Sequence, residues 1–332
     1  MKIGAMPPRD GADVGGWLAR LTAAEKLGYS FLATPDNFAA MLLAGQATQQ
    51  ALVGPTVTVP QTRHPIVMAA EASMVNRAIG GRLAIWIGRG FSSVQSIGEP
   101  MATTDGMADY LNAVQTLLRG EVATWRGQEV TIGSPRRLEP EPVRFVVSAY
   151  GPRTMRMAGG LTQGVGIASA ASPAQMKKAI EVVRNAAADA GRDPASVEIW
   201  AMVRASVRDT YEEALADLKA NLASGVQHIA KTDPDTPPDV RARIEELRAG
   251  YRTMEHVVGG GHNERLFDEL GLADFAADRL AICGTPQQCR ERILGLSDAG
   301  VDYLYFAGAT RDHELMMRRM ATEVVPELFA RR

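Results

Sequence analysis

Short apolar runs rich in β-branched residues alternate along the chain with longer stretches whose apolar positions recur every three or four residues. The first pattern builds strands buried on both faces, and the second builds amphipathic helices. Strands are predicted at 3–6, 30–33, 52–58, 82–87, 144–148, 164–168, 197–207 and 302–306. Helices are predicted at 13–28, 39–51, 65–79, 105–119, 152–160, 173–190 and 312–330. In the first helix Val14, Trp17, Leu18, Leu21 and Leu27 share one face, with Gly28 as the stop. Residues 123–132 read as a β-hairpin turning at Arg126-Gly127. Two helix starts carry a capping-box pattern, Ser172-Pro173 with Gln175 and Thr285-Pro286 with Gln288.

Eight strands alternating with helices, and no linker among them, predict a single α/β domain over residues 1–332, a (β/α)8 TIM barrel. A doubly wound dinucleotide fold is disfavoured, because no Gly-x-Gly-x-x-Gly follows the first strand. Residues 230–278 break the rhythm with a proline-rich stretch, a charged helix and Gly259-Gly260-Gly261. They are expected to form an insertion between strands seven and eight, lying at the rim as a lid.

Composition narrows the function classes. The 332 residues are 46% hydrophobic and 22% charged, enough to bury a large core and too apolar for a disordered chain. A net charge of −2 gives no field for nucleic acid or anionic lipid, and 6% aromatics argue against base-stacking platforms. Two cysteines make no disulfide framework, and no four-ligand zinc spacing exists, His256 and His262 being six apart. No apolar stretch approaches the ~18–20 residues of a membrane span, and no signal-peptide core follows Met1. A small-molecule enzyme of the cytoplasm, with no nucleic-acid or membrane partner and no metal, is the expectation.

In such a barrel the chemistry sits just beyond the carboxyl ends of the strands. After strand four, Gly88-Arg89-Gly90-Phe91 pairs a tight turn with a guanidinium, which suits a phosphate; the plain alternative is a surface arginine in a turn. After strand five, Tyr150-Gly151-Pro152-Arg153-Thr154 opens a helix whose free N–H groups and dipole also suit an anion; the alternative is an ordinary helix start. Asp36-Asn37 after strand two is the best acid or hydrogen-bonding pair, although aspartate there also serves as a helix cap. His64, before Pro65, reads as a hydrogen-bonded structural residue. Met6, Trp200 and Met202, with Tyr150, are expected to line an apolar mouth that binds the substrate; inward side chains of this kind also make ordinary barrel core.

Four segments in order on the expected strands resemble the bacterial-luciferase-like monooxygenase superfamily, which includes deazaflavin-dependent enzymes such as methylenetetrahydromethanopterin reductase. They are residues 53–65, residues 81–90, Ala149-Tyr150-Gly151-Pro152-Arg153-Thr154, and the tail from Cys283-Gly284-Thr285-Pro286 to Asp302. The resemblance implies a flavin or deazaflavin whose phosphate is held by Arg89, the backbone of Gly90 and Phe91, Tyr150, Gly151, Pro152, Arg153 and Thr154. It implies a non-prolyl cis peptide at Thr56-Val57 backing the ring. It implies coenzyme F420 as cofactor, FMN being the alternative, and a homodimer. Relatives that oxidise alcohols carry Asp-His-Phe where this chain has Asp36-Asn37-Phe38, and asparagine cannot take a proton. A reductase acting on a C=N or C=C bond is therefore expected. An FMN-dependent two-component monooxygenase with a separate flavin reductase, or a flavin-binding protein without catalysis, are the other readings.

Overall fold

The apolar runs become the strands of one parallel barrel in the computed structural model, which describes all residues except 9–12, 91–93, 95–96, 134–140, 169–170, 234, 309 and 331–332. The first four strands are β1 (Lys2–Ala5), β2 (Phe31–Thr34), β3 (Leu52–Pro55) and β4 (Ala84–Ile87). A separate antiparallel hairpin follows, β5 (Ala123–Trp125) and β6 (Gln128–Val130). The chain continues with β7 (Arg144–Ala149), β8 (Gly164–Ile167), β9 (Glu198–Val207), β10 (Ala281–Gly284) and β11 (Tyr303–Phe306). The barrel strands lie in the spatial order β3-β2-β1-β11-β9-β8-β7-β4. Two bridges, Val53 with Leu83 and Thr58 with Ile87, all but close the ring. Between them the chain bulges through Pro55 and a cis Thr56–Val57 peptide bond. The hairpin turns where expected, with Arg126 and Gly127 both at positive φ (50° and 76°), the geometry that matches strand twist.

Aromatic rings fill the barrel interior. Phe31, Trp86, Trp200 and Tyr305 meet edge to face or tilted, with ring centres 5.3–5.4 Å apart. Glycine makes the room: a Cβ on Gly166 would stand 2.2 Å from the Trp86 ring. At the amino-terminal end of the barrel the Arg144 Nε lies 3.1 Å from the Glu198 carboxylate, which also accepts a 3.2 Å bond from the Trp200 indole N–H. The Lys2 ammonium donates to the Tyr303 hydroxyl at 3.1 Å. This end is closed.

Two expectations are corrected. A strand absent from the eight expected ones joins the sheet: β10 pairs in parallel with the outer half of β9, Ala281 with Arg204 through Gly284 with Val207. Four residues ending in glycine are too short a run to show periodicity. Ser172 makes no side-chain cap, and the Gln175 amide oxygen instead accepts from the Arg279 guanidinium at 2.7 Å. The second capping box forms as read, Thr285 and Gln288 each bonding the other's backbone N–H.

Between β9 and β10 the chain runs through helices that begin already at Tyr211, earlier than residue 230. They enclose a core of their own, including Leu222, Val226, Ile244, Leu247, Phe267 and Leu280. No described helix is long and apolar enough to cross a membrane.

Candidate functional site

The carboxyl ends of β3, β4 and β7 converge on one side of the mouth. A Cβ on Gly88 would lie 3.2 Å from Val57 and 3.9 Å from the Ser148 side chain, so glycine there leaves a low floor between the three strand ends. Thr56 Oγ1 sits 2.8 Å from the Tyr305 hydroxyl, which ties the bulge to the barrel interior. Arg89 donates from Nε to the Ala102 carbonyl at 2.6 Å, and the Ala102 N–H returns a 2.9 Å bond to the Arg89 carbonyl. Gln61 reinforces the loop by donating to the Pro100 carbonyl at 2.8 Å. Gly90 takes φ 90°, and a Cβ there would strike Val94 at 2.4 Å, so only glycine suits this turn. Phe91 lies outside the described residues.

Beside this loop the helix Pro152–Leu161 begins at Gly151, which offers no side-chain cap. Pro152 has no N–H, so the backbone N–H groups of Arg153 and Thr154 face outward at the positive end of the helix dipole. Thr154 is buried. Arg153 departs from the expected role: its guanidinium binds the Asp105 carboxylate at 3.0 Å with 70% of the side chain exposed. The first turn of the preceding helix, Thr104–Leu118, supplies that partner.

Asp36 and Asn37 lie on the β2 loop, beside the end of β3. The Arg63 guanidinium grips Asp36 at 2.9 and 3.0 Å and also donates to the Asp36 carbonyl at 2.9 Å. Thr58 Oγ1 accepts a further bond from Arg63 at 3.0 Å. Asn37 caps the helix Phe38–Ala47, its Oδ1 accepting from the Ala40 N–H at 3.2 Å. Its Nδ2 has no acceptor among the described residues and can donate to a ligand. His64 is likewise a cap, accepting from the Ile66 N–H at 3.2 Å. Arg63 was not singled out from sequence, because nothing in Thr62-Arg63-His64 shows which carboxylate it will meet.

The assignment of Trp200 to the mouth is corrected. It is fully buried and lies face to face on Tyr303, the ring centres 3.7 Å apart, near the closed end. Met202 and Arg204 are the next inward positions of β9, and Met202 and Met6 are partly buried above the aromatic layer. Tyr150, from the β7 loop, stacks on His228 of the helical segment with ring centres 4.6 Å apart. Burial, reinforced by Arg204, Arg248 and His256, pushes the His228 imidazolium down to about 4. His313, after β11, is pushed to about 4 by burial as well. His256 and His262 each have a protein partner, the Tyr251 hydroxyl at 2.9 Å and the Gly250 carbonyl at 3.0 Å.

The sequence profile of the luciferase-like monooxygenase family matches residues 3–303. The 5,10-methylenetetrahydromethanopterin reductase of Methanolobus tindarius is 26% identical over 275 residues, 80% of each chain. Among solved structures, the coenzyme F420-dependent tetrahydromethanopterin reductase of Methanopyrus kandleri superposes with a TM-score of 0.76 at 20% identity, covering 99% of both chains. An F420-dependent secondary alcohol dehydrogenase gives 0.72 at 18% identity over 98% of both chains. At these identities the structural likeness establishes the barrel fold.

Proposed function

The chain belongs to the luciferase-like monooxygenase family, and on that premise we propose an oxidoreductase using coenzyme F420 that delivers hydride to a C=N or C=C bond. The cofactor seat is the pair of donor-rich turns, Arg89 with Gly90 and the uncapped start of the helix at Gly151-Pro152. The glycine floor at Gly88 and the Val57 side chain fit a flat ring lying against the β3 bulge. When bound, the reduced deazaflavin supplies a hydride donor. The 26% identical reductase supports this cofactor in preference to FMN.

The observation that carries the direction of reaction is the state of the β2 loop. Asp36 is neutralised by Arg63, and the Asn37 Oδ1 is committed to a helix N–H. Neither is placed to take a proton from an alcohol, which oxidation requires. Reduction of an electron-poor double bond needs no such base. It needs the acceptor held and water kept out, and the Asn37 Nδ2 can donate to an acceptor lone pair. Residues 230–278 serve in this reading as the cover over the bound substrate.

Steady-state rates in both directions test the assignment, with wild type set against Asn37→His. Reduction should survive the substitution, and slow alcohol oxidation should appear once a group titrating near neutrality faces the mouth. Efficient alcohol oxidation by the wild type, with a pH profile showing an essential base near neutrality, overturns the reductase reading.

A further inference from the structure

On the other side of the mouth stands an arginine with no counter-ion among the described residues. Arg204 follows Trp200 and Met202 as the third inward position of β9. Its Nη1 is sealed from solvent and has no hydrogen-bond acceptor among the described residues. No ion pair joins Arg204 to a described carboxylate, whereas its neighbours along the strand and helices are paired. Arg208 holds Asp217 at 2.6 Å, and Arg248 holds Glu245 at 3.0 Å. The residue is partly buried, and a sealed guanidinium N–H with no acceptor is unfavourable, so it signals an acceptor that arrives from outside.

The surroundings are shaped to the guanidinium. A Cβ on Gly225, in the helix Lys219–Val226, would come within 2.6 Å of Arg204 Nη2. Gly308, just beyond β11, flanks the stem on the other side, a Cβ there lying 4.0 Å from Arg204 Cγ. His228 and His256 both feel the Arg204 charge. His256 is oriented by the Tyr251 hydroxyl on Nδ1 at 2.9 Å and by Ser224 near Nε2 at 3.5 Å. Burial first, and the arginine charge second, favour the neutral form of both rings, so each carries one N–H.

We propose that Arg204, with His228 and His256 beside it, binds an anionic group, a carboxylate or a phosphate monoester, carried by the substrate. The assignment rests on the reductase reading above for the word substrate, and it separates this group from the cofactor phosphate: β9 is three strands from β4 around the ring. The substrate class is therefore an unsaturated organic acid or phosphate ester, its anion clamped on the β9 rim and its double bond directed toward Asn37 and the β3 bulge.

The test uses inorganic phosphate and succinate as separate probes at constant ionic strength, read by the imidazole proton resonances of His228 and His256 and by Tm. Wild type should show saturable shifts with the probe that matches the substrate. Arg204→Met should weaken that response at least about tenfold, the worth of one charge-assisted contact. It should also leave Tm in anion-free buffer unchanged or higher, because it removes an unpaired charge. Arg89→Ala should leave the histidine response intact. The response should persist in protein saturated with the deazaflavin; its loss there would give the anion to the cofactor tail and overturn the proposal. No response to either probe, or an equal response in Arg204→Met with a lowered Tm, overturns it too. Deazaflavin affinity is measured on the same samples, so absent cofactor binding beside an intact histidine response defeats the reductase reading alone.

Discussion

The two ends of the barrel treat charge in opposite ways. At the closed end Lys2, Arg144 and Glu198 all have partners, and a Trp200–Tyr303 stack seals the axis. At the open end the helix at Gly151 is uncapped, Arg204 pairs with no carboxylate among the described residues, and two buried histidines are held neutral. Satisfied groups at one end and a donor such as the Arg204 Nη1 at the other divide stability from binding, as expected for a barrel whose loops carry the chemistry. The paired charges near the mouth sharpen the contrast. Asp36 and Arg153 look like site residues in the sequence, but each already has an ion-pair partner, while Arg204 has none among the described residues.

The largest effect should come from breaking the closed end. Trp200→Ala removes a fully buried ring that meets Phe31, Trp86 and Tyr303 and should cost about 3–5 kcal/mol in denaturant unfolding. Deazaflavin affinity in the folded fraction should move less than about twofold. A large loss of affinity with little loss of stability would return Trp200 to the mouth.

Acid should attack the open end. His228 and His313 have folded pKa values of about 4, below the ordinary 6.5, so the unfolded chain binds protons first as pH falls. Stability is complete above pH 6.5 and declines between 6.5 and 4, by about 3 kcal/mol for each buried ring. His228→Asn should remove one ring's share of the slope when unfolding free energy is followed against pH. An unchanged slope would mean that His228 is not buried neutral.

Arg89→Ala should weaken deazaflavin binding by about 1.5–3 kcal/mol, the usual worth of a charge-assisted bond to phosphate. Arg153→Ala makes the control. Its ion pair with Asp105 is 70% and 79% exposed, so affinity and stability should each change by less than about 0.5 kcal/mol. A loss equal to that of Arg89→Ala would place the Arg153 guanidinium on the ligand.

Much of this arrangement is legible in the sequence, because it is local. The eight-strand rhythm, the turn at Arg126-Gly127 and the Thr285 capping box depend on residues a few positions apart. What escapes is pairing over distance and depth along a strand. Arg63 finds Asp36 27 residues away, and Arg153 finds Asp105 48 residues away. Alternation shows that Trp200, Met202 and Arg204 face inward, but the register with β11 decides that the first is core and the last is rim. β10 is invisible for the same reason, since its place is set by the outer half of β9 rather than by its own four residues.

Fluorescence titration of the isolated chain with coenzyme F420 and, separately, with FMN tests the central claim that the open end holds a deazaflavin. Saturable F420 binding at least about tenfold tighter than FMN, weakened by Arg89→Ala and untouched by Trp200→Ala, is the predicted result. Preferential FMN binding, with oxygen consumed once a flavin reductase supplies the reduced form, contradicts it and makes the chain an oxygenase.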